Sequence, residues 1–590
     1  MKVRTFFSTL TLVVVALLVV GIGGFIGLTS RSPLFLLAQG GQSLPTAAPF
    51  VSKNAPVMVS LLTRPDRLTD LWLLLAAPGD RRQTQAEIAR LEKSLLAGVG
   101  LTYEEDIRPW LGNEITFAVT TADLDQDPDN GSQPGYLLAL SCRDSERAKA
   151  VLELFWQKRA IAGDRLRFEQ FAGSKLIYTP AQGDPSPADL PQAGIAEFGP
   201  QSVASALVGQ KFVLLANDPR VLQQALTAAQ SRDLNLEHDL GYRKAVASLD
   251  NSRIGLAVVN LPPSLSWLGL ATHTTAALRT QGLGSSDGII DRAVFSLRPH
   301  RQGLLADTVL LAAAGHPFKP QQATPVPPEA AQFLPADTAL AAVGSQLDQL
   351  WQDVRNNLPY YAAAVPAWQP LWDRLQAPLP NQPPEALLDW ISGDYALGLV
   401  TRSPQMASGW VLAAHHQDNT PAAMARFDEL ARQQGLSVGP LTLADQSVSA
   451  WTRLSIASTP DPNSSSPAGA SPELVVTTTV AGLHTQSGEY ELLSNSPTSL
   501  YRAFQVNGNS LLTSPQWQKT IEPLTLPNAG YLYLDWQTLR PDWLNRAPWL
   551  KLIETLGQPL FSHLQSIAVT SYGRDEQAYS GGIFFRLSRS

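Results

Sequence analysis

One cysteine, Cys142, is present in 590 residues, so neither an internal disulfide framework nor a thiolate metal cluster can form. No cysteine lies near the N-terminus, which removes the acylated-cysteine route to a membrane. Charge offers little: 16 % of residues are charged, ordinary for a globular protein, the formal net charge is −7, and no basic block occurs anywhere. Without such a block nothing neutralises a phosphate backbone, which argues against nucleic acid as a partner. Familiar catalytic spellings are scarce too. There is no HExxH, and "GLGSSDG" from Gly282 lacks the Lys and Ser/Thr of a phosphate loop and reads as a turn-rich loop. Nucleophilic catalysis needs a Ser or Cys beside a base, usually on a sharp turn, and no such elbow is read in the chain.

Long apolar runs are absent after about residue 45, but one precedes it. "TFFSTLTLVVVALLVVGIGGFIGL" follows "MKVR", and the chain is free of charge from Thr5 to Ser30. Roughly 20 helical residues at about 1.5 Å each cross a hydrocarbon core of about 30 Å. Lys2 and Arg4 ahead of the run favour an N-terminus left in the cytoplasm. The run exceeds the apolar core of a cleaved signal peptide, about 7–15 residues, so residues 1–30 read as a signal anchor. Gly23 and Gly27 spell a GxxxG, although glycine is common in such helices. Residues 31–47 then read as an interfacial patch and tether, and the remainder as an extracytoplasmic body.

That body repeats itself. "GYLLALSCRDSERAKAVLELFW" from Gly135 answers to "GWVLAAHHQDNTPAAMARFDEL" from Gly409, 274 residues on. "WLGNEITFAV" from Trp110 matches "WISGDYALGL" from Trp390, and "LLANDPRVLQQAL" from Leu214 matches "LLSNSPTSLYRAF" from Leu492, at offsets of 280 and 278. Gly255 falls over Gly530 and Trp72 over Trp351, at 275 and 279. Five blocks in unchanged order mark a tandem duplication. The repeats are placed at 48–314 and 332–590, joined by a Pro-rich linker at 315–331 within "GHPFKPQQATPVPPEAAQFLP". Matching polar loops begin at Thr179 and Thr459 and read as mobile surface connections.

β-rich runs such as "EITFAVTTA" alternate with stretches of helical spacing such as "ERAKAVLELFWQKR". Asp144 and Asp418 read as helix caps, and Asp218 and Ser496 as N-caps ahead of Pro219 and Pro497. "AVFSLRPHRQGLLADTVLLAA" and "IAVTSYGRDEQAYSGGIFFRL" close the halves as hairpins. The expected fold class is α+β: two tandem homologous halves, each a largely antiparallel sheet with packed helices, behind an N-terminal transmembrane helix.

The candidates for chemistry each have a simpler explanation. The acidic run Asp123 to Gly131 could surround Ca²⁺ with oxygens, but counted from Asp125 its Gly falls one place late and its twelfth position is Tyr136. A solvated hairpin loop accounts for it. His415 and His416 are strand neighbours that point to opposite faces and do not easily share a metal. Cys142 reads as a buried structural cysteine. Glu104, Glu105 and Asp106 read as solvated helix-start charges. The matched tryptophans, Trp110 with Trp390 and Trp267 with Trp543, could line an apolar groove, but a shared core explains them more simply.

The apolar run followed by "SPLFLLAQGG", then "APVMVSLLTRPDRLTDLW" and "WLGNEITFAV", resembles a family of membrane-anchored proteins of unknown function found chiefly in cyanobacteria. The resemblance implies a plasma or thylakoid membrane anchor with the body in the periplasm or thylakoid lumen, and it carries no functional residues over. No catalytic, cofactor-binding or metal residue and no cofactor is assigned. The sequence favours a non-enzymatic interaction or assembly factor with protein partners. A carrier for a lipid or pigment, or a hydrolase with a site between the halves, are the alternatives.

Overall fold

The computed structural model describes residues 44–64, 102–127, 132–180, 203–250, 252–267, 289–323, 329–345, 347, 390–400, 409–459, 473–506, 508–546, 561 and 563–588. The apolar run, Trp72 and Trp351, the Gly282 loop and most of the loops after Thr179 and Thr459 lie outside the described residues.

The apolar runs form strands. In the first half these are β1 (Val57–Leu61), β2 (Leu111–Thr121), β3 (Gly135–Cys142), β4 (Arg167–Phe171), β5 (Ser174–Tyr178), β6 (Ala204–Val208), β7 (Phe212–Ala216), β8 (Gly255–Asn260), β9 (Ile290–His300) and β10 (Gly303–Ala312). After a two-residue β11 (Gln321–Gln322), the second half supplies β12 (Leu340–Gly344), β13 (Tyr395–Val400), β14 (Gly409–His415), β15 (Ser437–Leu443) and β16 (Gln446–Thr459). It ends with β17 (Glu473–Ser487), β18 (Tyr490–Ser494), β19 (Gly530–Asp535), β20 (Leu564–Arg574) and β21 (Ala578–Leu587).

Every pairing is antiparallel. Across the first half the strands run β4-β5-β6-β7-β3-β2-β1-β8-β9-β10. The second half runs β15-β16-β17-β18-β14-β13-β12-β19-β20-β21, the same pattern strand for strand. Pairing also refines the repeat. Val59 faces Phe117 as Ala342 faces Leu397, which sets β1 against β12 at an offset of 283 residues. The block aligned through Trp72 and Trp351 is therefore four residues out of register, since that alignment used 279.

The expected fold class needs correcting. Instead of two sheets, one per half, the twenty-one strands among the described residues belong to one antiparallel sheet, and strand outweighs helix. The hairpins β9–β10 and β20–β21 each leave an open edge, and an open edge is a row of unpaired backbone donors and acceptors. β10 and β21 satisfy each other from Gly303↔Arg586 to Leu311↔Ala578. Asp307 faces Ser296 as Gly582 faces Thr570, so Asp307 and Gly582 are equivalent positions, and across the seam they face one another. A local two-fold axis passes through that pair. No helix among the described residues is long and apolar enough to cross a membrane, and the apolar run lies outside them.

Each half has its own core. Met58, Leu137, Leu214 and Leu222 belong to the first, and Val411, Leu492, Leu500 and Trp517 to the second. Further apolar clusters cross the seam. Ile254, Leu297 and Leu304 pack with Trp536, Leu564 and Leu587, and Leu305 packs with Leu524, Ala568 and Phe584.

Helices start where the caps dictate. Asp144 accepts from Arg147 N to open the Ser145–Ile161 helix, Asp218 from Arg220 N to open Pro219–Gln230, and Ser496 from Ser499 N to open Pro497–Phe504. Asp418 is not a cap. Asn419 precedes the Thr420–Gln433 helix and makes no side-chain cap bond.

A carboxylate four residues after Trp110, and another four after Trp390, fastens the start of its half. Glu114, fully buried, accepts from Thr46 N at 2.8 Å, Ala47 N at 2.9 Å, Thr116 Oγ1 at 2.9 Å and the Thr46 hydroxyl. Asp394 accepts from Ala330 N and, at 3.1 Å, from the Tyr490 hydroxyl.

Candidate functional site

The residues singled out by sequence are dispersed. In the acidic run, Asp125 Oδ1 accepts from Asp127 N at 3.1 Å and Asp123 Oδ1 from Gln133 N at 3.0 Å, so these carboxylates brace their own loop. Residues 128–131 lie outside the described residues. Among the described residues no grouping of His, Cys, Asp and Glu is arranged to hold a metal ion. The Cys142 thiol is half-buried, and burial pushes it up to about 11, which leaves it protonated and unreactive. Glu104 pairs with Arg108 and Asp106 accepts from Thr102 N at 2.7 Å, both at the surface. Trp110, Trp267 and Trp390 are buried in core clusters; the side chain of Trp543 lies outside the described residues. A G-x-S-x-G spelling also runs from Gly284 to Gly288 around Ser286, outside the described residues.

What the fold does bring together lies on the seam. A cleft of about 810 Å³ opens there, and both halves and the linker contribute walls. The first half supplies Lys244 and Ser248 from the Leu240–Ser248 helix, the linker supplies Gln321, and the second half supplies Tyr572, Arg574 and Asp575 at the end of β20. The helix is set by Asp239, which accepts from Tyr242 N at 2.7 Å and is itself held by the buried Arg292. β11 fixes the linker wall by pairing Gln321 with Arg574 and Gln322 with Gly573.

Charge in the cleft is matched across the halves. Lys244 Nζ lies 2.9 Å from Gln577 Oε1 and 3.7 Å from Asp575 Oδ2. Burial opposes the charged form of Asp575, but the Gln577 and Ala578 amides, both at 2.7 Å, and Lys244 outweigh it, holding the carboxyl below the usual range. Arg574 Nε donates to Lys319 O at 2.8 Å and its guanidinium lies over the Tyr579 ring. The Ser248 hydroxyl donates to Ala245 O at 2.8 Å, and burial raises the Tyr572 phenol. These walls place hydrogen-bonding groups of both signs on fixed elements, beside the apolar Val309, Pro320 and Pro527.

A second cluster sits between helix and sheet in the second half. Asp428, His484 and Glu491 come from the Thr420–Gln433 helix, β17 and β18, and Trp451 from β16 lies against them. Of the sequence candidates, only His416 reaches it, 3.6 Å from Glu491; His415 turns away to Gln417 and the Tyr490 ring. Glu491 and Asp428 take opposite nitrogens of the ring, so they share no coordination point.

No curated protein and no solved structure matches the chain. A family model described as "Protein of unknown function (DUF3352)" matches residues 10–587, almost the entire length, and the chain therefore belongs to that family.

Proposed function

We propose that the protein is a membrane-tethered, extracytoplasmic interaction or assembly factor that holds a polar segment of a partner protein in the seam cleft. The carrying observation is the composite wall, with Lys244 from one half beside Asp575 and Gln577 from the other. Such a site is complete only when both halves are joined, which gives a binding reason for keeping two copies in one chain. Tethering is supported by the charge-free run from Thr5 to Ser30. Glu114 clamps the first described residues after that run, at Thr46 and Ala47. Among the described residues, Trp110, Trp267 and Trp390 sit in core clusters, which supports the interaction reading over a carrier built around those three.

The test uses a photo-crosslinking residue at Ser580, inside the cleft, in full-length protein in native membranes, with Glu146 on an exposed helix as the comparison site. A discrete adduct at Ser580 that disappears in Lys244→Glu and returns in Lys244→Glu/Asp575→Lys supports the reading. Equal adducts at both positions, or an adduct indifferent to these charges, would sink it.

A further inference from the structure

His484 occupies a position where its protonation state is dictated by its neighbours' chemistry. Nδ1 lies 3.1 Å from Glu491 Oε1 and Nε2 lies 3.2 Å from Asp428 Oδ1. An ionised carboxylate only accepts, so both ring nitrogens must donate, and only the imidazolium does that. Glu491 is buried, and its other oxygen is 3.6 Å from His416 Nδ1. Trp451 Nε1 donates to the same Asp428 oxygen at 2.7 Å, with its ring beside that of His484. Gly482 makes room for this ring: a Cβ there would lie 2.4 Å from Trp451 Cε3.

We propose that His484 is a proton-controlled pin: as an imidazolium it fastens the Thr420–Gln433 helix to the second half's sheet, and losing its proton loosens that helix. The ionisable groups around it are Asp428 from the helix, Glu491 from β18 and His416 from the end of β14. β16 contributes Trp451 and Ser449, and β15 carries no ionisable residue. Arg426, Glu429 and Arg432 on the same helix are exposed. Without the proton, one carboxylate faces a lone pair and two negative charges are left with their shared counter-ion gone.

Burial disfavours the charged ring, but the bonds and charges of Glu491 and Asp428 outweigh it, so the group titrates above its ordinary value. A raised native value places the full stabilisation below about pH 6.5 and removes it as pH rises through the native titration. The first half lacks the device. Ser205 stands where His484 does and Val213 where Glu491 does, and the Ser145–Ile161 helix is held by Trp156 Nε1 donating to Ser205 Oγ at 2.8 Å.

The test is hydrogen–deuterium exchange of the full-length protein in detergent between about pH 6 and pH 9, corrected for intrinsic exchange rates. Protection of peptides from 420–433 is expected to fall about tenfold for each unit by which the histidine is raised, while peptides from 145–161 stay constant as an internal reference. His484→Gln is expected to give low protection at both ends of the range. Should that variant fail to fold, Asp428→Asn/Glu491→Gln, which keeps His484, is expected to remove the pH response. Unchanged wild-type protection across the range overturns the proposal, as does a pH response that persists in either variant.

Discussion

Glu114 shows how much one buried side chain can hold. It collects four donors from three residues, and two of those residues belong to the segment that leads in from the tether. Glu114→Ala strands those donors in a dry site and is expected to cost about 3–5 kcal/mol, measured by chemical denaturation of the full-length protein. Gly482→Ala acts by crowding, not by loss: its methyl meets the Trp451 ring, with an expected cost of about 1–3 kcal/mol in the same assay. Neither role was legible in the sequence. Glu114 and Asp394 were visible as counterparts after matched tryptophans, but Thr46 and Ala330, which they hold, lie 68 and 64 residues away. His484 is similar, since Asp428 is 56 residues before it. Spacing along a chain carries no record of such meetings.

At the level of elements the local rules served well. Capping depends on atoms a few residues apart, so Asp144, Asp218 and Ser496 could be identified as caps from the sequence. Asp418 could not be told from Asp144 by alignment, because the second helix begins after Asn419 and Thr420 takes over the local bonding, its hydroxyl accepting from Gln417 N at 2.9 Å. The difference is measurable. Asp144→Ala is expected to destabilise by about 1 kcal/mol and Asp418→Ala by less than about 0.5 kcal/mol, read as a shift in denaturation midpoint. The strand runs were likewise legible from composition, although the register of β1 and β12 stands four residues off the Trp72–Trp351 alignment and comes only from their partners.

For the molecule as a whole, the duplication could be read but its consequence could not. Each closing hairpin displays an edge, and nothing in the run of residues says whether that edge meets solvent or another strand. Here the edges meet, so sheet and core both pass from one half to the other. The body is expected to melt in a single calorimetric transition. Phe584→Ala, at a fully buried seam position, is expected to cost about 3–5 kcal/mol and to resolve that transition into two. Two transitions in the wild type would show that the seam does not couple the halves.

The facing of Asp307 and Gly582 has a further consequence. A joint in which equivalent positions meet is isologous: each half offers the other the same edge it would offer to a copy of itself. Linking the two in one polypeptide makes the encounter intramolecular, so its strength no longer depends on how much protein is present. It also removes the obligation for the two edges to stay identical, because each now meets one fixed partner. Asp307 opposite Gly582 is already such a mismatch, and beyond the joint Glu491 stands where the other copy has Val213. A symmetric pair of separate chains would carry every such change twice; a fused pair can carry it once.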